Sequence, residues 1–365
     1  MSPSAAQGGR VDVCSDAEQR IRNAWDFPAK GGRAAMTSFD VAIPNYNYGR
    51  YLHDCVASVA SQDVDALRIL IIDNASTDDS ARIAREIADA DPRVELRLHP
   101  RNLGPHSSFN EAVDWAASDC FLILCSDDLL SPGALRRAGE VLAQDPTLAF
   151  CYGRDVGFLR DQPVPQLATG LERARWHRLS GQDFIERFCR LGVFQIPGPT
   201  LVTRTSAHKE TGHYREELLH SDDYELWLRL ALLGDVAVLD NVQGMIGNHA
   251  DNRSGTLRAR QVLHIRQTEA AAESFFSREG VALAGVRNLR RLARRGFAAR
   301  AYWAALGAWS RGDPGGWSLM RYALGKAPEM AVLPPFDYLL KRPDARARLA
   351  QSLAAVVRRT SPRCD

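Results

Sequence analysis

The sequence predicts an α/β fold: a doubly wound, mostly parallel sheet followed by a C-terminal helical extension. Three observations carry that reading. From Phe39 onward, short apolar runs alternate with stretches of helical spacing, in the order strand–helix–strand–helix–strand–helix–strand, the pattern of a parallel sheet built by crossovers. Loops rich in Asn and Asp follow the strands, and ligands of open sheets sit outside the carboxyl ends of their strands. After Leu257 the chain turns to Ala and Arg with helical periodicity.

Residues 1–36 read as a poorly ordered N-terminal extension with a short helix around 16–25. Val41-Ala42-Ile43 form the first strand, closed by Pro44 and the loop Asn45-Tyr46-Asn47-Tyr48-Gly49. Over 51–62, Leu52, Cys55, Val56 and Val59 share a helical face. Residues 67–72 form an apolar strand that ends in Asp73-Asn74-Ala75-Ser76-Thr77-Asp78-Asp79, a turn rich in helix-capping side chains. A helix over 80–90, a strand over 94–98, a loop at 101–105, a helix over 107–117 and a strand over 121–124 follow. Beyond them the expected elements are a helix from 135, a strand at 149–152, a mobile loop over 160–180, a helix over 184–191, a turn and strand over 195–202, a helix opening at Asp222, a strand at 236–239 and a loop over 247–254. The rest is helical, with breaks at 312–316 and at Pro334-Pro335. This gives three parts: the extension 1–36, a domain over 37–256 and a basic, mostly helical region over 257–365.

A chain of 365 residues with 45% hydrophobic content suffices for one large or two modest domains. Its net charge of +2 conceals a split: residues 257–365 hold 20 Lys and Arg against 8 Asp and Glu, whereas residues 1–256 hold 26 against 36. The basic part therefore suits an anionic neighbour, either a membrane surface or the acidic part of its own chain. Arg287, Arg290, Arg291, Arg294, Arg295 and Arg300 recur at helical spacing, and Trp303, Trp309 and Trp317 follow. This combination suits peripheral contact with anionic lipid. Nucleic acid is not an expected partner, because the arginines are not interleaved with aromatic stacking motifs. Seven cysteines without a CxxC pair point to a reducing compartment, with neither a disulfide framework nor a zinc site. With no signal-peptide pattern and no apolar run near the ~20 residues of a membrane span, the expectation is a cytoplasmic protein, peripheral at the inner face of the plasma membrane. Neither GxGxxG nor GxxxxGK[ST] occurs, which argues against a dinucleotide oxidoreductase and a P-loop NTPase.

The stretch Cys120-Phe121-Leu122-Ile123-Leu124-Cys125-Ser126-Asp127-Asp128-Leu129-Leu130-Ser131-Pro132 is the chemical centre of the sequence. A buried strand that ends in paired carboxylates suits a hard divalent cation, held by carboxylate oxygens and substrate phosphates. Taken alone, the pair serves equally well as a cap for the next helix, through Asp128 and Ser131. Likewise Asp73 alone is equally a turn-forming residue, and the acids Asp222 and Asp223 alone suit a helix N-terminus.

Three sets of residues together resemble glycosyltransferase family 2. The first is Val41-Ala42-Ile43-Pro44-Asn45-Tyr46-Asn47 with Leu52 and Ser58-Val59-Ala60-Ser61-Gln62. The second is Ile72 to Asp78 with Asn102, Gly104 and Asn110, and the third is Ser126 to Pro132. Asp222-Asp223-Tyr224-Glu225-Leu226-Trp227-Leu228-Arg229 and the loop carrying His249, Asn252 and Ser254 resemble the family's acceptor-side motifs. The match covers residues 39–256. The resemblance implies a GT-A fold with a Rossmann-like nucleotide-binding half. It implies inverting transfer of a sugar from a nucleotide diphosphate-sugar donor to a saccharide or lipid-linked saccharide acceptor, with Mg²⁺ or Mn²⁺, in cell-surface polysaccharide or lipid-linked saccharide synthesis.

On that resemblance Asp128 is the main metal ligand, with Asp127 on ribose, a metal-bound water or the metal, and His249 completing the metal shell or touching the diphosphate. Asp73 and Asn74, with Pro44, Asn45, Tyr46 and Asn47, bind the donor, and Arg229 is an ion-pair partner or diphosphate contact. Asp223 is the catalytic base, with Asp222 second. Asn110 fixes a loop. One departure stands out: the family often has Asp-x-Asp-Asp where this chain has Cys125-Ser126-Asp127-Asp128, and Cys125 reads as the last buried residue of the strand. The alternatives are a non-catalytic nucleotide-sugar-binding scaffold on the same fold, and a nucleotidyltransferase. The latter calls for a glycine-rich loop and a basic residue near the first strand, and Pro44-Asn45-Tyr46-Asn47 offers neither.

Overall fold

A computed structural model describes residues 38–167, 172–193, 195–249 and 261–340. The helix expected at 16–25, and Asn252 and Ser254, lie outside them.

Four parallel strands lie at the heart of the nucleotide-binding half: Ser38–Asn45 (β1), Ala66–Asp73 (β2), Val94–Leu98 (β3) and Cys120–Ile123 (β4). The helices between them are Gly49–Ala60 (α1), Ser80–Ala90 (α2) and Pro105–Trp115 (α3). The order β3-β2-β1-β4 puts β1 in the middle, and its Phe39, Val41, Ala42 and Ile43 are all buried. Strand alternation then sorts the side chains. Val41, Ile43, Ile69 and Ile71 pack with α1 and α2, while Ala42, Leu70, Ile72 and Phe121 face a second core on the opposite side. Covering both faces with helices is what permits an apolar parallel sheet.

One buried acid fastens this half together. Asp40 on β1 accepts from Arg68 Nε at 2.8 Å on β2, and from the Ala117 and Ser118 amides at 2.5 and 2.8 Å ahead of β4. Burial raises its pKa, but the Arg68 and backbone hydrogen bonds outweigh that and leave it below the usual carboxylate value.

Beyond β4 the sheet becomes mixed. Leu129–Leu130 (β5) leads into Ala134–Gln144 (α4) and Leu148–Leu159 (β6). Then come Trp176–Leu179 (β7), Gly181–Leu191 (α5), Val202–Arg204 (β8), Thr205–Thr211 (α6), Asp222–Leu233 (α7) and Asp235–Asn248 (β9). The full order is β3-β2-β1-β4-β8-β6-β9-β5, with β7 paired to β9. β6 and β9 are far longer than the expected strands at 149–152 and 236–239. They pair with each other in parallel from Leu148↔Asp235 to Leu159↔Asn248, through several register shifts. Gly153, Arg154 and Asp155 interrupt the apolar run of β6, so only the partner strand sustains it. The expected mobile loop over 160–180 contains β7, whose pairing with β9 is likewise non-local. α6 also went unread.

The helices after residue 260 are Gln261–Ser277 (α8), Val286–Ser310 (α9), Gly316–Lys326 (α10) and Phe336–Leu340 (α11). They do not form a separate body. Phe275, Phe276, Phe297, Ala301 and Leu319 belong to the same core as Phe121, Phe184 and Leu226, and the described residues fall in one compact unit. α9 crosses α5 so closely that a Cβ on Gly296 would lie 2.1 Å from the Cys189 carbonyl, an approach that only glycine allows. No described helix is long and apolar enough to cross a membrane.

Candidate functional site

The carboxyl ends of β1, β2 and β4 open into a crevice of about 780 Å³, lined by the loops after β1 and β4, the start of α3 and the start of α7. The first two loops are laced together. Asp73 Oδ1 accepts from Asn45 Nδ2 at 2.9 Å and from Ser76 Oγ at 2.6 Å, and Asp73 Oδ2 accepts from the Ser76 amide at 3.0 Å. Asn47, in the left-handed region at φ 59°, accepts from the Thr77 amide at 2.7 Å. Asn74 Oδ1 accepts from the Leu103 amide at 2.9 Å, and its Nδ2 donates to Asn102 Oδ1 at 3.1 Å. The polar loops are thus a preformed framework. Pro44, Asn45, Tyr46, Asn47 and Asn74 line the crevice. Asp73 is buried behind Asn45 and does not.

The turn after β4 has its own fastening. The Asp128 amide donates to the Cys125 carbonyl at 2.9 Å, closing a turn that gathers the side chains at its ends. Gln62 on α1 donates to the Ser131 carbonyl at 3.0 Å, and Ser58 Oγ accepts from the Leu130 amide at 3.1 Å. Asp128 Oδ1 accepts from the Gly247 amide at 3.0 Å. A Cβ on Gly247 would meet the Asp127 carbonyl at 2.1 Å, so β9 closes over this turn only because residue 247 is glycine. The helix-cap alternative fails here: Gly133 caps α4 without a side-chain hydrogen bond, and Ser131 Oγ donates to Val242 O.

Cys125 Sγ and one carboxylate oxygen each from Asp127 and Asp128 all lie within 4.8 Å of one another. Asp127 lines the crevice, while Asp128 lies deeper, 8% exposed. Burial, and next the Asp127 charge, push the Asp128 carboxyl well above its usual value. His249 Nε2 lies 3.2 Å from Asp127 Oδ2, with its ring held between Tyr48 and Tyr51. Adjacent acids, Asp127 at the crevice and Asp128 buried behind it, with an imidazole beside Asp127, fit a divalent cation, whose charge would relieve their repulsion.

Across the crevice, Asp222 and Asp223 open α7. Burial, and then the Asp222 charge, push the Asp223 carboxyl up to about 8. Asp222 Oδ2 is 3.2 Å from His106 Nε2.

Two expectations need correcting. Arg229 is not a donor contact: it is 4% exposed, pairs with Glu225 at 2.7 Å, and donates to the Thr211 and His213 carbonyls, away from the crevice. Its place one helical turn after a buried Glu225 fixes it as an internal ion-pair partner. Cys125 is not a buried strand residue; β4 ends at Ile123, and Cys125 is exposed in the crevice. Asn110 fixes a loop as expected, exchanging hydrogen bonds with the Tyr214 backbone at 2.8 and 3.2 Å. Sequence reasoning missed His106, Arg160 and His264. His106 and His264 line the crevice. Arg160 is buried over Tyr51 and donates to the Asp127 carbonyl at 2.8 Å. His106 had a faint signal, a ligand-type residue between Asn102 and Asn110. Arg160 and His264 are brought in by long-range packing and had none.

A sheet with its polar loops at one carboxyl edge, and acids facing one another across a crevice, is the architecture of an open α/β sheet that binds ligand outside the carboxyl ends of its strands. Residues 40–210 match the family model "Glycosyl transferase family 2". The chondroitin synthase of Escherichia coli is 35% identical over 214 residues, 59% of this chain and 29% of that protein. The succinoglycan biosynthesis protein ExoU of Rhizobium meliloti is 33% identical over 212 residues, 54% of this chain and 57% of that protein. The match to the chondroitin synthase of Pasteurella multocida takes in only 21% of that protein. Among solved structures, S. aureus TarS 1-349 in complex with UDP-GlcNAc superposes with a TM-score of 0.57 at 17% identity, over 84% of this chain and 82% of that one. The mannosyltransferase PcManGT from Pyrobaculum calidifontis, in complex with GDP-Man and Mn²⁺, gives 0.52 at 17% identity, over 85% and 92%. Both share the GT-A fold.

Proposed function

We propose that this chain is a divalent-metal-dependent glycosyltransferase that moves a sugar from a nucleoside diphosphate-sugar to an acceptor hydroxyl with inversion. The observation that carries the reading is the single crevice with Asp127 on one side and Asp222 and Asp223 on the other. The nucleotide-sugars bound to the two neighbours favour a nucleotide-sugar donor, and the polysaccharide-synthesis relatives favour a saccharide acceptor.

Tyr46, 44% exposed, offers its ring to the nucleotide base, and Asn45, Asn47 and Asn74 hold the loops that frame it. Asp73 acts through Asn45. Asp127 and Asp128, with His249, would hold the cation, Mg²⁺ or Mn²⁺ by the family's habit, which supplies positive charge to the departing diphosphate. Asp223 takes the acceptor hydroxyl proton. The acceptor oxygen bonds to the anomeric carbon as the carbon–phosphate-oxygen bond breaks, and one displacement inverts the centre. A scaffold without chemistry would have no need of a buried carboxylate poised near neutrality opposite the acid pair.

The test is transfer from a panel of UDP- and GDP-sugars in Mn²⁺. Asp223→Asn is expected to lose about a thousandfold in rate, and Asp127→Ala about a hundredfold. Wild-type rates in both would sink the reading.

Lipid-linked acceptors suit a peripheral protein. The Arg-rich helix supports this less than expected, because Arg290, Arg294 and Arg300 donate to carbonyls of their own fold. An apolar tip supports it better: Val332, Leu333 and Phe336 are 89, 72 and 61% exposed, near Arg295, which lies 3.8 Å from Asp337. The full chain is expected to float with anionic vesicles, and Leu333→Asp with Phe336→Asp to abolish flotation. Equal flotation of wild type and double variant excludes this tip as the contact.

A further inference from the structure

We propose that His106 is a positioning residue for transfer: from α3 it holds the Asp222 carboxylate in place beside Asp223 at the start of α7. This rests on the reading of Asp223 as the base and goes further by naming the side chain that keeps its charged neighbour where it is.

Three observations carry it. First, His106, Asn110 and Asp114 recur every four residues along α3, so they share one face. Each meets the chain that leads into α7. Asp114 Oδ1 lies 2.8 Å from His213 Nε2, Asn110 exchanges hydrogen bonds with the Tyr214 backbone, and His106 Nε2 lies 3.2 Å from Asp222 Oδ2. The Asp114 pair is exposed, whereas His106 and Asp222 are largely buried in the crevice wall. This face of α3 is a polar seam whose inner end reaches the acids. Second, α7 does not fasten its own start. Ser221 precedes it without a side-chain cap, and the buried Ser221 Oγ has no hydrogen-bond partner among the described residues. Third, Asp223 Oδ1 accepts the Tyr224 amide at 2.7 Å and is tied to the helix start. Repulsion between adjacent carboxylates would turn Asp222 out to water, and His106 opposes that turn from the neighbouring helix. Its Nε2 stands at ion-pair distance from Asp222 rather than in an aligned hydrogen bond, as catalytic contacts often do before substrate binds.

Held there, the Asp222 charge adds to burial in pushing the Asp223 carboxyl up to about 8; turned to water, it adds less. Besides His106, the titratable groups around the two acids are Cys125 and Asp127 after β4, Tyr214 and His220 ahead of α7, and His264 on α8. They are the same in every variant below, so differences between variants read His106 and Asp222.

The test is a double-variant cycle in the full chain, read as the pH profile of turnover, in Mn²⁺, of the UDP- or GDP-sugar that wild type accepts. His106→Ala is expected to move the rise in rate to lower pH, as Asp222→Asn does. It is expected to lower the kcat reached at high pH about fivefold, the scale of coupling between side chains in contact, with the donor KM unchanged. His106→Phe keeps a ring without the nitrogen and is expected to behave as His106→Ala, which separates loss of the contact from loss of packing. His106→Gln, whose amide can donate to a carboxylate, is expected to restore most of the rate. In the Asp222→Asn background His106→Ala is expected to change neither profile nor kcat. A loss that persists undiminished in that background, a rise that moves to higher pH, or an unchanged profile in His106→Ala each overturns the hold on Asp222. Wild-type turnover by Asp223→Asn overturns the base reading instead.

Discussion

Asp223 has its chemistry set by its surroundings. Burial and the Asp222 charge bring its carboxyl up to about 8, so the base form grows as pH rises through that value. The rate of transfer is expected to climb across the same range, and Asp222→Asn to shift the climb to lower pH by removing the neighbouring charge. The linkage to stability has the opposite sign to that of Asp40. Asp223 holds its proton in the folded state well above the unfolded value of 3.8, so the native state loses stability as pH rises toward 8. Asp223→Asn is therefore expected to abolish transfer while raising the melting temperature at pH 8, measured by scanning calorimetry. At Asp40 the folded pKa lies below the unfolded one, so its stabilisation is present above that unfolded value and lost as pH falls through the folded one. Asp40→Asn is expected to cost about 2 kcal/mol at pH 7, the worth of hydrogen bonds to a charged group, with the difference shrinking in acid; urea unfolding at two pH values reads both.

At the scale of elements, the acid turn depends on β9. Gly247 is the contact point, since any side chain there would meet the Asp127 carbonyl. Gly247→Ala is expected to weaken divalent-cation binding by at least about tenfold, while the β1–β4 half keeps its fold; isothermal titration with Mn²⁺ and circular dichroism separate the two. The elements most legible in the sequence were α2 and β3, where local periodicity and packing agree. β7 and the outer half of β6 were not legible. Their residues are mixed in polarity, and β9, a strand distant in sequence, is what makes them strands. The site divides in the same way. The loops after β1, β2 and β4 could be read because each follows its own strand. Of the two roles open to Arg229, the ion pair holds and the diphosphate contact does not, because its partners, Glu225 and the carbonyls of Thr211 and His213, depend on how α7 meets the chain before it.

On the scale of the whole molecule, the helices after residue 260 share a core with the sheet and lend His264 to the crevice. A chain that ends at residue 256 would expose the apolar surface that Phe275, Phe276 and Phe297 now cover. It is expected to lose cooperative unfolding and to aggregate, where an independent domain would stay soluble and keep a sharp transition; calorimetry and light scattering decide. The charge split seen in the sequence is met partly within the molecule. Arg278 of the C-terminal region pairs with Glu217 at 3.0 Å.

The sequence by itself determined the alternation of strands and helices, the carboxyl-edge loops and the family they resemble, because each depends on neighbours close in the chain. Only the tertiary structure decided that Cys125 faces the crevice, that Arg229 does not, and that the basic helices complete the core. Those outcomes depend on which distant backbone covers a side chain, and burial, charge and hydrogen-bond partners follow from that packing.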